Sequence, residues 1–435
     1  MTQNTNFEEL LQKGLDYLDD RQYTDAVDKL QRAVELNPDH PGALYRLGNA
    51  LHRNGQVEKA VSYYMKSIEL DKSVAEARNS LGAALFALGQ LNDAAEHFKK
   101  AIELKSDLTD AYHNLGVIYF QTGELEKALE NYREAVKNNP DYAEGYYHLG
   151  LIDEHMKNPE DAEKNYRYAI KLDENYLEAY NNLGNLLSGN QKIDEAIELL
   201  KKACAIDNEK SEIHNNLGIA LHSKGDIPEA IREYRHAITL NPNFLQAYMN
   251  LGFTYHQNGD FEDAIEIYTE ALDVNPVNPE AYTNLGKVYV ENGKKEMALE
   301  RFNKAIEIDP AYAPAYLNLG IMFFDDDQRE KAIRYYLDAV RIDPEYEQAY
   351  FNLGVAIVEG FQGESVHLEQ GIIYLKKALE LNPDNALTYY WLGNARLKNE
   401  DVLRAIEDFK VSCNMGFERA CEALKEIFSP KVNQS

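Results

Sequence analysis

Asn182, Asn216, Asn250, Asn284, Asn318 and Asn352 follow one another at a constant interval of 34 residues, and Asn114 falls on the same count two intervals earlier. A carboxamide carries one acceptor oxygen and two N–H donors, the complement of a peptide group, so a row of them can grip a polypeptide backbone without reading its side chains. This is binding chemistry rather than bond-making chemistry. A second constellation is charged: Arg46, Asn49 and Arg53 stand at i, i+3 and i+7, on one face of a helix, with His52 beside them. The small Ser80, Ala83 and Ala87, about one interval further on, leave room for an anion such as a carboxylate terminus or an acidic side chain. Arg46, Asn49 and Arg53 are therefore the candidate anion contacts.

Groups suited to catalysis do not assemble. The stretch GKVYVENGKK from Gly286 lacks the spacing and the closing Ser or Thr of a phosphate-binding loop, and neither HExxH nor GxSxG occurs. His222 and His256 occupy equivalent positions one interval apart, yet two imidazoles without a third ligand make a poor metal site. No catalytic residue, no metal and no cofactor is expected, and the chain reads as a non-enzyme. Cys204, Cys413 and Cys421 include no CxxC pair and are expected to be reduced thiols.

The elements that must carry these side chains are read from the same interval. Gly14, Gly48, Gly82, Gly116, Gly150, Gly184, Gly218, Gly252, Gly286, Gly320 and Gly354 are spaced by 34 residues without an indel, and Gly393 marks a twelfth copy displaced by a five-residue insertion. A fixed period of this length signals a helical solenoid. Within one copy, Tyr248, Leu251, Gly252 and Tyr255 recur as one face of a helix, and Ala264, Tyr268 and Ala271 as one face of a second. Asn258 and Gly259 supply the reversal between them, and Pro276 stops the second helix. Gly252 and Ala264 let the two backbones pack closely, and the recurring tyrosines read as core.

Period, small residues, aromatics and proline together resemble the tetratricopeptide repeat (TPR) family, over residues 7–419 of 435. The resemblance implies an all-α fold: a right-handed α-solenoid, or TPR superhelix, of about twelve helix-turn-helix repeats, one array closed by a capping helix over 418–428. Residues 1–6 are expected to be disordered, the insertion in copy eleven (VEGFQGESVHLEQ) a lengthened loop, and 420–435 the rest of the capping helix and a tail. The segment CNMGFERACEALKEIF is similar to the end of a Sel1-like repeat. In this family the first helices of successive repeats line a concave groove, which the residue two before each marker glycine enters. That row reads Gln12, Arg46, Ser80, Asn114, His148, Asn182, Asn216, Asn250, Asn284, Asn318, Asn352 and Trp391, and its asparagines are similar to the ladder in the TPR superhelix of O-linked N-acetylglucosamine transferase. Asn114, Asn182, Asn216, Asn250, Asn284, Asn318 and Asn352 are thus the expected peptide-binding residues. The chaperone-tail carboxylate clamp of some relatives is not assembled, since Tyr45, Asp110 and Asn114 stand where it needs basic groups.

With 73 acidic against 45 basic residues the formal charge is −28, which disfavours nucleic acid as a partner. No apolar run approaches the ~18 residues of a membrane span, and MTQNTNFEELLQKG has no basic segment followed by an apolar core. A cytoplasmic scaffold binding a protein or extended peptide is the expectation. An adaptor or substrate-targeting subunit for an enzyme or secretion machine acting in trans is the alternative, and self-association through exposed apolar ends is a third partner mode.

Overall fold

Around Gly252 the chain forms one helix over Leu245–Asn258 and a second over Phe261–Val274. Gly259 ends the first with φ of 83°, the left-handed conformation that costs a glycine least, and its N–H reaches the carbonyl of His256. At the end of the second helix Asn275 is extended, and its side-chain oxygen accepts the N–H of Val277 at 3.2 Å. Copies without the closing proline keep this device: Asp71, Asp173 and Asp207 accept from Ser73, Asn175 and Glu209, each at 2.9 Å. The carboxylate or amide therefore turns the chain with or without proline, which accounts for Lys72, Glu174 and Asn208 at proline positions.

The hairpin recurs throughout the computed structural model, which describes residues 2–190, 192–360 and 365–428. Cα packing divides the chain into two units, residues 1–209 and 210–435, where the sequence reading has one array. The first unit holds α1 (Thr2–Asp19), α2 (Tyr23–Leu36), α3 (Pro41–Arg53), α4 (Val57–Leu70), α5 (Ala75–Ala87), α6 (Leu91–Leu104), α7 (Thr109–Gln121), α8 (Leu125–Asn138), α9 (Ala143–His155), α10 (Pro159–Leu172), α11 (Leu177–Gly189) and α12 (Ile193–Ile206). The second holds α13 (Ser211–Lys224), α14 (Ile227–Leu240), α15 (Leu245–Asn258), α16 (Phe261–Val274), α17 (Pro279–Glu291), α18 (Lys295–Ile308), α19 (Ala313–Asp325), α20 (Arg329–Ile342), α21 (Glu347–Gly360), α22 (Ser365–Leu381), α23 (Ala386–Lys398), α24 (Val402–Asn414) and α25 (Glu418–Phe428). Among the described residues there is no strand.

Each marker glycine seats the side chain that follows it on the second helix of its hairpin. A Cβ on Gly252 would stand 2.8 Å from the ring of Tyr268, which is fully buried. A mid-helix glycine costs about 1 kcal/mol against alanine, and here close seating of a large ring offsets it. Within each unit successive first helices meet, as α1 with α3, α3 with α5, α13 with α15 and α15 with α17. No comparable packing joins successive second helices among the described residues. The first helices thus form the inner layer that presents the sites below.

Several expectations need correcting. Residues 2–6, read as disordered, belong to α1. The insertion in copy eleven is not simply a loop: α21 runs to Gly360 and α22, at 17 residues, is longer than its counterparts. Residues 361–364 of that insertion, and 429–435 of the tail, lie outside the described residues. Cys413 and Cys421 are not separate thiols: they form a disulfide, with Cα atoms 4.9 Å apart, joining the end of α24 to α25. Cys204 is free. The capping helix packs Leu424 and Ile427 against Ala405 and Phe409, while Leu403 and Phe428 stay exposed. No helix is long and apolar enough to cross a membrane among the described residues.

Candidate peptide-binding site

In the first unit α1, α3, α4, α5 and α7 enclose a groove of about 1070 Å³. Asn49 and Arg53 line it, as do Ser80 and Ala83, as the spacing requires. Arg46 does not; it is partly buried on α3, with no ion pair among the described residues. Its place is taken by Arg21, from the turn between α1 and α2, where the backbone has φ of 58°. Among the described residues neither Arg21 nor Arg53 is within ion-pair distance of an acid, and Glu58, the nearest acid by sequence to Arg53, does not neutralise it. Tyr64, buried beneath the floor, donates its hydroxyl proton to Asn49 Oδ1 at 2.8 Å. That bond occupies the amide oxygen and leaves the two N–H donors of Asn49 unspent. Burial chiefly, and then the Arg53 charge, push the His52 imidazole below its ordinary pKa, so it adds little positive charge. Asn79 and Ser80 add further donors, while Asp19 and Asp110 bring negative charge to the rim. The lining is thus rich in donors and carries both signs of charge.

The asparagine row is partly committed elsewhere. All seven predicted residues are half-buried on first helices. Asn114 Nδ2 points to Asn79 Oδ1 at 3.4 Å, Asn182 Nδ2 to the Tyr147 hydroxyl at 3.3 Å, and Asn250 Nδ2 to Asn215 Oδ1 at 2.9 Å. Each bond crosses to the preceding first helix, so these amides tie neighbouring repeats together. Asn250 also accepts from Gln246, and Asn318 donates to the carbonyl of Pro314 on its own helix. Asn216 is engaged within the fold as well. Among the described residues Asn284 and Asn352 keep their side-chain amides free of internal bonds. Since an amide has two N–H groups and two lone pairs, even Asn250 retains half of its capacity. At the end of the row Trp391 packs against the buried cluster that contains Val355, Leu375 and Leu392 rather than projecting freely.

The two histidines considered for metal go separate ways. His256 Nε2 pairs with Glu291 at 3.0 Å, and His222 lies against the ring of Phe253. A different group, His113 with Glu144 and His148, converges instead on the first unit's inner layer. The sequence signal for it was His148, the histidine that interrupts the asparagine row.

Tandem helical hairpins with a groove walled by their first helices define a class of repeat proteins that present an inner surface. A TPR repeat family model matches residues 82–123, 116–152, 190–225, 220–259, 254–293 and 286–327. Further tetratricopeptide repeat models match 11–73, 143–176, 313–346 and 374–407. The chain belongs to the tetratricopeptide repeat family. A Sel1 repeat model matches 347–383, the copy with the insertion, whereas the likeness read from the sequence lay in the C-terminal segment. Among curated proteins no sequence matches this chain significantly. Among solved structures, the crystal structure of yeast Tom70 is similar over 97% of this chain and 96% of that one, at 17% identity and a TM-score of 0.54. YrrB, described as a TPR protein with an unusual peptide-binding site, aligns with 42% of this chain and 95% of its own at 24% identity and a TM-score of 0.38. MamA aligns with 38% of this chain and 95% of its own at 29% identity and a TM-score of 0.36. The Tom70 match shows the solenoid fold; the other two are too low in TM-score to carry more.

Proposed function

We propose that this protein is a non-catalytic scaffold whose first unit holds an extended, carboxylate-bearing segment of a partner protein. The observation that carries the reading is the groove of about 1070 Å³ in which Arg21, Arg53 and the Asn49 amide offer donors with no internal acceptor. A carboxylate fits Arg21 and Arg53 because charge-assisted bonds to guanidinium are about twice as strong as neutral ones. Asn49 and Asn79 face the backbone beside it. In the second unit Asn284 and Asn352 supply weaker, sequence-independent backbone contacts. The partner is protein rather than nucleic acid, since a surface with a formal charge of −28 repels a polyphosphate. A cytoplasmic setting and the Cys413–Cys421 bridge pull in opposite directions, because structural disulfides are rare in reducing compartments; trapping the thiols by alkylation in intact cells decides between them.

The test is fluorescence anisotropy with two peptide libraries on one backbone, one ending in free acidic residues and one amidated and neutral. Tighter binding of the acidic set, lost by about tenfold or more in Arg21→Glu/Arg53→Glu and weakened by salt, is the expected outcome. Equal binding of both sets, or an unaffected double variant, overturns the reading.

A further inference from the structure

The first unit holds a second constellation that the peptide reading leaves unused. His113 on α7 and Glu144 and His148 on α9 bring one ligating atom each to within 4.8 Å of one another. His113 Nε2 lies 3.7 Å and His148 Nε2 3.9 Å from the same oxygen, Glu144 Oε1. Glu144 and His148 are one helical turn apart, so they share a face of α9. The site spans two repeats because His113 stands one residue before a position of the asparagine row and His148 occupies the next.

Neighbouring side chains hold the three groups in place. The ring of His148 stacks on Tyr132 at 4.9 Å with the planes 9° apart. His113 meets the edges or faces of Tyr132 and Tyr142 at 5.5 and 5.6 Å. The second oxygen of Glu144 accepts the hydroxyl proton of Tyr142 at 3.1 Å, which fixes the carboxylate as outer-shell bonds do in metal sites. His113 is mostly buried and its Nδ1 has no partner, so ligation through Nε2 breaks no internal bond at Nδ1. Glu144 is about half exposed, which leaves a way in from solvent.

We propose that His113, Glu144 and His148 form a binding site for a divalent transition metal, of which Zn²⁺ fits best. Two imidazoles and one carboxylate are the ligand set of three-residue zinc sites, which leave a fourth position for water. Ligands about 2.0–2.1 Å from the ion stand about 3.3 Å from each other in a tetrahedron. The two distances to Glu144 Oε1, 3.7 and 3.9 Å, therefore need to shorten by about half an ångström, and the two imidazoles, within 4.8 Å of each other, by up to about 1.5 Å. Mg²⁺ and Ca²⁺ ask for more oxygen ligands than this set supplies. With both imidazoles neutral the set carries a single negative charge, which a dication reverses. The fourth position opens where Glu144 reaches solvent and is held by water.

The experiment uses the full chain after treatment with a chelator. Titration with Co²⁺ is expected to give the intense visible absorption of tetrahedral coordination, saturating at one equivalent and abolished by one equivalent of Zn²⁺ but not by a large excess of Mg²⁺. His113→Asn and His148→Asn place in each site the residue found at equivalent positions of other repeats, such as Asn79, Asn215 and Asn250, so the fold is retained, as far-ultraviolet circular dichroism will report. Each is expected to weaken Zn²⁺ binding by more than about 100-fold, with Glu144→Gln close behind. Zn²⁺ should raise the melting temperature of the wild type and leave the double histidine variant unmoved. Unchanged affinity in the double variant, a weak octahedral spectrum, or equal competition by Mg²⁺ overturns the assignment.

Discussion

The inner faces of the two units differ in how regular they are. In the second unit the row two before the marker glycine reads Asn216, Asn250, Asn284, Asn318, Asn352 and Trp391, almost uniform; in the first it reads Gln12, Arg46, Ser80, Asn114, His148 and Asn182, with little repetition. Both faces are partly committed to the fold: in the first unit Asn114 and Asn182 bond the preceding first helix. Asn250 joins α15 to α13, Asn318 bonds its own helix, and Trp391 is packed into a core cluster. Arginines are bonded in both units: Arg167 pairs with Glu163 and Glu195 in the first, and Arg329 with Glu359 and Arg396 with Asp408 in the second. Arg21 and Arg53, which line the first unit's groove, have no acid within ion-pair distance among the described residues. Repetition alone therefore does not mark a binding residue: Asn250 and Asn318 are bonded within the fold, while Asn284 and Asn352 have no internal side-chain bond among the described residues. The unpaired guanidinium groups of the first unit's groove, Arg21 and Arg53, lie outside the repeated row.

The sharpest way to break this contrast is by ligand binding. Reversing Arg21 and Arg53 together should cost an acidic peptide about 2–4 kcal/mol, at 1.5–3 for a bond to a charged group less some overlap. Asn284→Ala with Asn352→Ala should cost under about 1 kcal/mol, since neutral amide bonds are worth less. Anisotropy titrations of both double variants measure the two losses. If the second loss exceeded the first, the uniform row would be the binding surface after all.

A pH-dependent effect distinguishes the paired arginine of the second unit from the free ones of the first. Asp408 is buried, and that burial outweighs Arg396 and pushes its carboxyl from 3.8 up to about 6. A folded-state pKa above the unfolded one means that the folded chain binds the proton more tightly. The stability this adds is present below about pH 4 and is lost as the pH rises through about 6. The full difference is about 3 kcal/mol at 1.36 per unit. Hydrogen exchange in α23 and α24 should therefore show wild type gaining protection over Asp408→Asn on going from pH 7 to 4, and Arg53→Gln in the first unit should show no such trend. A flat comparison for Asp408 would mean that burial does not raise the pKa of its carboxyl.

The stapling role of the row is testable at a smaller scale. Asn250→Ala loses the bonds to Asn215 and Gln246 and should lower the local stability of α13 and α15 by about 1–2 kcal/mol, at roughly 1 per net bond. Asn284→Ala, which loses no internal bond, should stay within about 0.5 kcal/mol, as surface changes do. Thermal melts and hydrogen exchange of the two variants, compared side by side, resolve the difference. Equal effects would mean that the bonds across repeats contribute nothing.

What the sequence made legible follows from the range over which each feature acts. The hairpin is local, so Gly259, Pro276 and the marker glycines could be read directly from their spacing, whereas the turn made by the Asn275 side chain could not. Asn49 and Arg53 were legible as a site because they share one helix. Arg21 was not, since it enters the groove from another hairpin through a turn whose residue types give no hint of direction. His113, Glu144 and His148 needed the spacing between two neighbouring first helices, which periodicity alone does not supply. Cys413 and Cys421 belong to no motif, and only the fold of α25 back onto α24 brings them together.

The smallest effect concerns the turns that set the first helices in place. Position seven after the marker glycine has positive φ in every described case: Gly55, Gly89, Gly123, Gly225, Gly259 and Gly293 occupy it, but so do Arg21, Lys157, Asp327 and Glu400 at 58 to 61°. A side chain there costs about 1–2 kcal/mol against the preferred helical conformation, while glycine adds about 0.5–1 kcal/mol of unfolded-state entropy. Lys157→Gly should therefore stabilise its hairpin by about 0.5 kcal/mol. Arg21→Gly relieves the same strain but also removes a guanidinium from the groove. The two variants should shift melting temperature alike and differ in binding of the acidic peptide. If Arg21→Gly bound that peptide as well as Lys157→Gly does, Arg21 would be in place for its turn alone, and the irregular face would owe its ligand to Arg53.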